Sequence, residues 1–394
     1  MTVPPGAPAP HRRLRVLFIT AWYPTAAAPY EGTFVREHAL AVARFDDVAV
    51  LHCPEPRRDL PRLWQVETET DPALTAGLPT VRAWYRPAPI PKVSLGVHLF
   101  AVGQALRAVY RTGFRPDLLH AHVYDAGFAT AVFSKLYRLP FVVTEHFSAF
   151  PRHTLPPGEV RKARIAFGQA AWVLPVSRAL QTGIEQHGLR ARFQIVGNVV
   201  DNTLFYPAPA RTPNDPLRIV SVGSLVPIKG IPDLLHALRL LQETPLRWRL
   251  DVIGDGPQRA AYTALAAELG LASQVTFHGA RPKADVADAL RQADLFVLAS
   301  QWENMPCVLL EAMACGVPIV ASAVGGIPEI VDDAVGILTP PGDAPALAAA
   351  LSAALTERFD RRIMIERAAA YSPAAIGQTL DSIYRSVLTQ KASR

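Results

Sequence analysis

The sequence predicts an α/β protein in which two Rossmann-like parallel-sheet domains face each other across a cleft. Short apolar runs of strand length alternate with segments of helical periodicity along almost the whole chain. Strands that are separated by helices pair in parallel, because each crossover helix returns the chain to the same edge of the sheet. The length of 394 residues is too great for one ordinary core and favours two domains.

The first half of the chain, residues 1–204, forms the first predicted domain. Its predicted strands are RVLFIT (15–20), DVAVLHC (47–53), LLHAHV (118–123), FVVTEHF (141–147) and WVLPVS (172–177). Its predicted helices are FVREHALAVARF (34–45), AGFATAVFSKLY (126–137) and RALQTGIEQHG (178–188). Residues 54–92, which are rich in proline and arginine, predict a less regular excursion. Within it we interpret the acidic segment ETETD (67–71) as a solvated loop rather than a metal site.

A linker and a second domain follow. Four prolines in FYPAPARTPNDP predict the linker at 205–216, and a second alternating series predicts a domain of residues 217–368. The strands of this series are LRIVSVGSL (217–225), RLDVIGDG (249–256), VTFHG (275–279), LFVLAS (295–300) and PIVAS (318–322), and the helices span 230–242, 258–268, 283–292 and 306–315. The tail, residues 369–394, predicts a helix that starts at Ser-Pro and must dock elsewhere on the protein.

Composition narrows the class of protein. Half of the residues are hydrophobic and 19% are charged, which is typical of a folded soluble enzyme and excludes a disordered or fibrous chain. The three cysteines, Cys53, Cys307 and Cys315, have no metal-ligand spacing and predict reduced thiols in a cytosolic protein. The net charge of +6 favours anionic partners such as phosphorylated substrates or an anionic membrane. Nucleic acid is disfavoured because a basic-aromatic recognition motif is missing.

The segment SQWENMPCVLLEAMACG (300–316) carries the first candidate site. Pro306 suits the first turn of a helix, whose free N–H groups and positive dipole attract phosphate. Glu303 would lie in the loop before this helix and Glu311 inside it, where carboxylates can accept hydrogen bonds from sugar and ribose hydroxyls. The spacing alone fits equally well an amphipathic helix with two solvated glutamates.

The wider context resembles a known family. The segment 300–333, with its E-x7-E spacing, resembles family 4 of the retaining nucleotide-sugar glycosyltransferases, the large glycosyl transferase group 1, and GILTPPGD (336–343) continues the likeness. Further motifs that fit are VGSLVPIKG, VIGDGP and VTFHGA in the second half and, more loosely, HAH, TEH, VSRAL and GNVVDNTLF in the first. The resemblance implies a GT-B fold, with the donor site in the second domain, the acceptor site in the first and a C-terminal helix that crosses back to the first.

The resemblance also implies roles for the residues of the donor site. Glu311 would bind the ribose hydroxyls, and Glu303 would bind the donor sugar with the backbone of Asn304 and Met305 nearby. Lys229, in the loop of VPIKG before a helix, would neutralise the diphosphate.

Two positions depart from the family pattern. Ser224 stands where the family usually has an arginine, so that Lys229 and helix amides must suffice, or Arg281 must substitute, or activity must be reduced. Asn304 replaces a small residue that would let the backbone approach phosphate closely.

Glycine-rich turns complete the expected donor site. Gly254 and Gly256 end a predicted strand in a tight turn that permits close approach of a ligand. By resemblance, the backbone of Gly279 and Ala280 would pair with the nucleobase edge. Gly32 lies in the first strand-to-helix loop, a place suited to the diphosphate or the transferred sugar.

Histidines and a hinge motif mark the first domain. His146, in the T-x-H motif, would contact the donor sugar near the reaction centre, although a satisfied core histidine is the alternative. His120 and His122 alternate on one strand face, and we expect structural or acceptor-side roles rather than a metal pair. Asn198 and Asp201 match an N-x-x-D motif near the domain hinge.

The expected reaction needs no cofactor. Because the sequence has no D-x-D motif for a metal-bridged diphosphate, we expect metal independence, with Lys229 and helix amides meeting the charge of the leaving group. The expected enzyme transfers a hexosyl unit from a UDP- or GDP-sugar to a carbohydrate or lipid-linked acceptor, with retention, in cell-surface polysaccharide or glycolipid biosynthesis. A degenerate GT-B scaffold without turnover and a GT-B nucleotide-sugar epimerase are the alternatives.

We expect the protein to be cytoplasmic, with peripheral binding to the cytoplasmic face of the membrane as a further option. Residues 158–172 place arginines and a lysine on a helix that could meet anionic lipid, although a solvated face of a packed helix is the simpler interpretation. Residues 93–110 are apolar at helical spacing and predict core rather than a membrane wedge.

Overall fold

The computed structural model describes residues 12–209, 213–357 and 359–392. It contains two sheets, and the first has seven strands in the order β3-β4-β2-β1-β5-β6-β7. These strands are β1 (Arg15–Thr20), β2 (Asp47–His52), β3 (Trp64–Glu69), β4 (Thr80–Tyr85), β5 (Leu118–His122), β6 (Phe141–Glu145) and β7 (Trp172–Pro175). All neighbouring pairs are parallel except β3 with β4.

Helices cover both faces of this first sheet. They are α1 (Thr33–Ala43), α2 (Pro72–Thr75), α3 (Pro91–Arg111), α4 (Tyr124–Tyr137), α5 (Pro157–Gln169) and α6 (Arg178–Gln186). Successive side chains of a strand point to opposite faces. Val16 and Phe18 of β1 therefore pack in the core that includes α1, whereas Leu17 and Ile19 pack with α3 and α4.

The second sheet has six parallel strands in the order β10-β9-β8-β11-β12-β13. They are β8 (Leu217–Val222), β9 (Trp248–Ile253), β10 (Val275–Gly279), β11 (Leu295–Leu298), β12 (Ile319–Ser322) and β13 (Gly336–Thr339). The helices of this half are α7 (Ile231–Leu241), α8 (Arg259–Glu268), α9 (Lys283–Arg291), α10 (Cys307–Ala314), α11 (Ala344–Thr356) and α12 (Arg361–Ala369). Two parallel sheets with crossover helices confirm the predicted fold class.

The last helix, α13 (Pro373–Ala392), returns to the first domain and packs against α1. Ile376, Leu380 and Ile383 are buried there in one core with the apolar face of α1. The hydroxyl of Tyr384 lies 2.6 Å from Nδ1 of His120 in β5. The C-terminal helix therefore completes the core of the domain that begins the chain, and the two domains are joined at both ends of the second.

The expectation of an irregular excursion at 54–92 is wrong. Residues 64–85 form β3, α2 and β4, and β3 is the antiparallel edge strand of the sheet. Glu67 and Glu69 of the acidic segment lie on β3 and bind across to β4, where Trp84 Nε1 donates to Glu67 at 2.7 Å and Arg82 Nε donates to Glu69 at 2.9 Å. An edge strand exposes both faces to solvent, so its sequence lacks the apolar run that marks a buried strand.

Two predicted helices differ from the structure in detail. Helix α10 begins at Cys307, and Pro306 precedes it with an extended backbone at φ −72° and ψ 120°. Helix α3 was expected to be core, but its buried residues all lie between Ala101 and Val109. Its first ten residues, 91–100, contain no buried side chain, so only the second half of the helix is core.

The junction of α13 with α1 gives a prediction about stability. A Cβ on Gly377 would lie 2.3 Å from the Ala41 carbonyl oxygen and 2.8 Å from the Phe45 ring. Because backbone cannot yield easily, we expect Gly377→Ala to lower the free energy of unfolding by about 1–3 kcal/mol. Thermal unfolding of the whole chain followed by calorimetry measures this change.

The matched control is Gly96→Ala in α3, where a Cβ meets no atom within 4 Å. This variant should be neutral or stabilised by up to about 1 kcal/mol, because alanine has the higher helix propensity. Equal effects of the two substitutions would contradict the tight junction.

Candidate active site

The two domains meet at the carboxyl ends of their strands, where ligands bind in open parallel sheets. Hydrogen bonds cross directly between the domains at this place. Lys283 at the start of α9 bonds Glu37 of α1, and Glu329 of the second domain bonds the first turn of α6. The two domains are therefore in direct contact at the carboxyl ends of their strands.

Glu303 and Lys229 form an ion pair at the wall of this cleft. The Lys229 Nζ donates to Glu303 Oε1 at 2.5 Å, and the Ser300 hydroxyl donates to the same oxygen at 2.7 Å. Both side chains are largely covered. Seventy-four positions separate the two residues, and the sequence predicted each role without predicting the pair.

The loop of residues 303–305 joins the two domains. The side-chain amide of Asn304 donates to the backbone carbonyl of His146 at 2.6 Å. The side-chain amide of Asn198 donates to the Met305 carbonyl at 2.7 Å, and the Asn198 N–H contacts the Met305 sulfur at 3.2 Å. Within the second domain, Gly326 N–H donates to the Glu303 carbonyl at 3.2 Å. The predicted hinge residue Asn198 of the first domain thus contacts the loop that carries Glu303.

Glu311 is buried on α10 and faces a lysine and a second carboxylate that the sequence did not indicate. Burial raises the pKa of Glu311 to about 7, with Lys283 acting to lower it and Glu37 to raise it. The Lys283 ammonium lies 2.9 Å from Glu37 Oε1. Burial acts to lower the pKa of Lys283, but Glu37 and Glu311 outweigh it and the pKa is raised. The Lys283 ammonium therefore pairs with Glu37 across the two domains and places positive charge near the buried Glu311.

Lys283 and Glu37 carry no motif that would have found them, because their positions become adjacent only when the domains close. Arg281, considered as a substitute cation, instead lines a cavity of about 260 Å³ with Arg218 and His278. Ser224 is exposed in the loop after β8. Of the two basic residues around the start of α9, Lys283 is the one whose charge acts on Glu311.

Backbone geometry requires glycine at two of the predicted turns. Gly32 has φ +64°, and a Cβ there would lie 2.3 Å from the Trp22 carbonyl carbon. Gly254 has φ +144°, and a Cβ would lie 1.9 Å from the Gly223 carbonyl oxygen. The loops after β1 and β9 consequently run close to neighbouring backbone, and a side chain at either position would clash with it.

The other glycine-rich positions lie beside these turns. Gly256 N–H donates to the Asp255 side chain at 2.8 Å. The Gly279 carbonyl accepts from Gly254 N–H at 2.9 Å, so this oxygen already has a partner within the sheet, and Ala280, the next residue, is exposed. His278 pairs with Asp251 at 2.6 Å.

Three histidines of the first domain form a cluster at the cleft. Ring nitrogens of His38, His122 and His146 all lie within 4.8 Å of one another, and His122 Nδ1 is 3.2 Å from His146 Nε2. His38 Nε2 is 3.0 Å from the Gly197 carbonyl. Burial lowers the pKa of all three, and they are neutral near pH 7. The sequence did not indicate His38, and the group includes His122 but not His120, the other member of the pair weighed from the sequence.

His120 and Asp201 have structural partners. His120 lies between the Tyr384 hydroxyl at 2.6 Å and the Thr144 hydroxyl at 2.7 Å. Asp201 accepts from the backbone N–H and the hydroxyl of Thr203, at 3.0 and 2.6 Å, and so closes a local turn. Among the described residues, neither side chain forms a hydrogen bond with the loop 303–305.

Glu145 holds the loop that carries His146. Its two carboxylate oxygens accept from the backbone N–H groups of Tyr124, His146 and Phe147 at 2.8, 2.9 and 2.8 Å. Burial outweighs these three hydrogen bonds and raises the pKa of Glu145 to about 7. Its place between Thr144 and His146 in TEH was the only sequence signal for this positioning role.

Glu329 connects the domains at the start of α6. Its two oxygens accept from the backbone N–H groups of Arg178 and Ala179, each at 2.8 Å. These N–H groups have no partner within the helix, and a carboxylate there also interacts favourably with the helix dipole. A residue of the second domain therefore caps a helix of the first.

Fold and site together define a two-domain α/β enzyme with a polar cleft between parallel sheets. Comparison with protein-family models matches residues 32–204 to "Glycosyltransferase Family 4" and residues 202–371 to "Glycosyl transferases group 1". TuaC of Bacillus subtilis, a glycosyltransferase named for teichuronic acid biosynthesis, is 31% identical over 360 residues, which are 86% of this chain and 88% of TuaC. The D-inositol 3-phosphate glycosyltransferase of Corynebacterium efficiens is 30% identical over 76% of this chain and 78% of its own.

Solved structures share the fold. The sucrose-phosphate synthase of Thermosynechococcus elongatus superimposes with a TM-score of 0.74 at 23% identity, over 96% of this chain and all of that one. The Anabaena protein Alr3699/HepE in complex with UDP gives 0.72 at 22% identity, over 95% of this chain and all of that one. The chain belongs to glycosyltransferase family 4, the glycosyl transferases group 1, and is a glycosyltransferase with the GT-B fold.

The raised pKa of Glu311 gives a prediction about pH. A carboxyl group whose pKa is raised in the folded state stays protonated there while the unfolded chain ionises, so its contribution to stability is complete below pH 4.5 and is lost as the pH rises to about 7. Glu311→Gln cannot ionise and avoids this loss. Between pH 5 and pH 8, we expect the free energy of unfolding of the variant to increase by on the order of 2–3 kcal/mol relative to that of the unchanged protein.

Thermal or urea unfolding at pH 5 and pH 8 measures this gain. Glu268→Gln, at an exposed position of α8, is the control and should show the same difference at both pH values. If the difference in unfolding free energy between Glu311→Gln and the unchanged protein does not change with pH, the raised pKa of the buried Glu311 carboxyl group is contradicted.

Proposed function

We propose that this glycosyltransferase moves a hexosyl unit from a nucleotide diphosphate sugar to an acceptor hydroxyl, with retention of configuration and without a metal ion. The observation that carries the proposal is the Lys229–Glu303 ion pair, whose loop contacts the backbone of His146 in the first domain and leads into the helix that carries the buried Glu311. These groups supply a cation for phosphate, acceptors for sugar and ribose hydroxyls, and a neutral imidazole beside the reaction centre.

The donor would bind along the second domain. Glu311 would accept hydrogen bonds from the two ribose hydroxyls, while Lys229 and the N–H groups at the start of α10 would meet the diphosphate. Structures titled as complexes of Anabaena Alr3699/HepE with UDP and with UDP-glucose have the same fold, which supports a UDP-sugar, and a GDP-sugar is the alternative. The Asn304 side-chain oxygen is buried and has no hydrogen-bond partner among the described residues, so it is free to accept from a donor sugar hydroxyl.

Leaving-group stabilisation by Lys229 removes the need for a metal. Lys229 neutralises Glu303 in the closed cleft and can turn to the diphosphate when a donor enters. The donor phosphate would take the acceptor proton on the same face of the sugar, so the mechanism needs no nucleophile from the enzyme. Closure of the cleft would exclude water and limit hydrolysis of the donor. Metal bound by the cluster of three histidines is the competing arrangement, and elemental analysis of the purified protein tests it.

The acceptor would belong to cell-surface polysaccharide or glycolipid synthesis in the cytoplasm. Similar proteins carry names of this kind: TuaC is named for teichuronic acid, WcaL of Escherichia coli for colanic acid and AmsK of Erwinia amylovora for amylovoran. A carbohydrate or a lipid-linked sugar would enter through the first domain. A GT-B scaffold without turnover is the second candidate, because Ser224 replaces a usual cation of the donor site.

Nucleotide binding tests the proposed donor site. We expect UDP, or else GDP, to raise the melting temperature of the purified protein in the presence of EDTA, because a ligand that binds only the folded state stabilises it. Glu311→Ala and Lys229→Ala should lose most of this shift, since each removes a group that binds the nucleotide. Lys135→Ala, on an exposed face of α4, is the matched control and should keep it.

A shift that disappears with EDTA would contradict metal independence, and no shift with UDP, GDP or ADP would favour the inactive scaffold. Once a donor is identified, proton NMR of the transferred sugar reports the anomeric configuration of the product. A product with inverted configuration would rule out the proposed mechanism.

A further inference from the structure

The first half of α3 is an apolar helix surface that the protein leaves uncovered. By length and composition α3 is the one helix in the described ranges that could cross a membrane, yet only 28% of its apolar window is buried. Residues 91–100, PKVSLGVHLF, contain no buried side chain. Since an uncovered apolar surface costs free energy in water, this half of the helix is suited to contact with something outside the chain.

The exposed side chains form one continuous surface. Val93 is 51% exposed and Phe100 is 49% exposed, two turns further along the same face of α3, and Ile90 precedes them. The Phe100 ring lies 5.4 Å from the ring of Trp64 at the start of β3, and Leu63 is next to it. We name this surface the α3 patch: Leu63, Trp64, Ile90, Val93 and Phe100.

Basic residues surround the α3 patch. The segment before Leu63 and the turns around β4 and α3 contribute Arg57, Arg58, Arg62, Arg86 and Lys92, against the acidic residues Glu55 and Asp59. Asp59 pairs with Arg57 at 2.5 Å, so these two charges neutralise each other, and Arg58, Arg62, Arg86 and Lys92 remain against Glu55. The Arg86 N–H donates to the Leu63 carbonyl at 2.8 Å, so the charged and apolar residues are direct neighbours. An excess of positive charge therefore borders the apolar surface.

The α3 patch lies on the cleft side of the first domain. Strand β4 is parallel to β2, and α3 begins shortly after β4 ends, at the same edge of the sheet as the ends of β5 and β6. His122 and His146 lie at that edge. His98 of α3 is 3.7 Å from the sulfur of Cys53, the residue after β2, which ties the helix to the edge. A surface docked on the α3 patch would be close to the place where the acceptor enters.

We propose that the α3 patch inserts into the surface of an anionic lipid bilayer and presents the cleft to a lipid-linked acceptor. This inference rests on the proposed function, because it specifies the acceptor as lipid-linked. An apolar stripe with basic neighbours matches the combination of acyl chains and anionic headgroups, and tryptophan is favoured at that interface. A second copy of the chain would bring the five basic residues against one another, which opposes self-association.

Helix α5, whose sequence could also meet anionic lipid, exposes fewer apolar side chains than the α3 patch. Lys162 is paired with Asp125 and Glu159 at 3.2 and 3.1 Å, and Ile165 is its only large apolar side chain that is exposed. Arg161 and Arg164 remain exposed and can add attraction at a distance. The α3 patch combines both kinds of contact and is therefore the insertion surface.

Vesicle binding tests the proposal with the full-length protein. Co-sedimentation is measured with vesicles of phosphatidylcholine alone and of phosphatidylcholine with about 30% phosphatidylglycerol, a fraction that gives a strongly anionic surface. The protein should bind the anionic vesicles and not the neutral ones. Val93→Ser with Phe100→Ser, and separately Arg58→Glu with Arg62→Glu, should each reduce the partition coefficient about 10-fold or more.

The control is Leu240→Ser with Ile363→Ser, which removes two exposed apolar side chains of the second domain and should leave binding unchanged. Melting temperatures of all variants check that they are folded. Equal binding of the patch variants and the control overturns the proposal, as does a dimer that the Val93→Ser, Phe100→Ser variant abolishes. The nucleotide-induced thermal shift separates the membrane proposal from the proposed function. The patch variants should keep this shift. If the unchanged protein shows no shift, only the proposed donor site is contradicted.

Discussion

The loop of residues 303–305 makes hydrogen bonds in three directions, and the arrangement of the cleft depends on them. The Glu303 carboxylate binds Lys229 within the second domain. The Asn304 side-chain amide donates to the His146 carbonyl, and the Met305 carbonyl accepts from the Asn198 side-chain amide. Both of the latter contacts lie in the first domain. The residues expected to hold the donor sugar and the histidine expected beside the reaction centre are thus fixed relative to each other by one short segment.

Charge balance in the closed cleft follows from the same arrangement. Glu311 is buried on its helix, and Lys283 is the cation beside it, but Lys283 also bonds Glu37 of the first domain. A cleft that opened would separate Glu37 from Lys283 and leave the ammonium group to Glu311. Separation of the domains would therefore change the charge near Glu311 and, with it, the pKa of that carboxyl group.

The sequence predicted the fold and the separate residues of the site better than their contacts. Alternating apolar runs were sufficient for ten of the thirteen strands in the described residues. Strand β3 is an exposed edge strand without such a run, whereas β4 and β13 are more buried and were also missed. Glu303, Lys229 and His146 belong to local motifs, so each could be found alone. Lys283, Glu37 and His38 acquire partners only through tertiary structure, and no local pattern marks them. Helix α3 is apolar throughout, and only the packing shows that its first half is uncovered.

The most direct measurement is the turnover of the donor by Asn304→Ala, compared with the nucleotide affinity of the same variant. If the loop aligns His146 with the donor across the cleft, loss of the amide should lower kcat about 10-fold or more, because misplacement of a reacting group by about 1 Å can cost 100-fold. The nucleotide Kd should stay within about twofold, since Glu311 and Lys229 remain in place. An unchanged kcat would contradict the account, because the contact between the domains would then have no part in assembling the site.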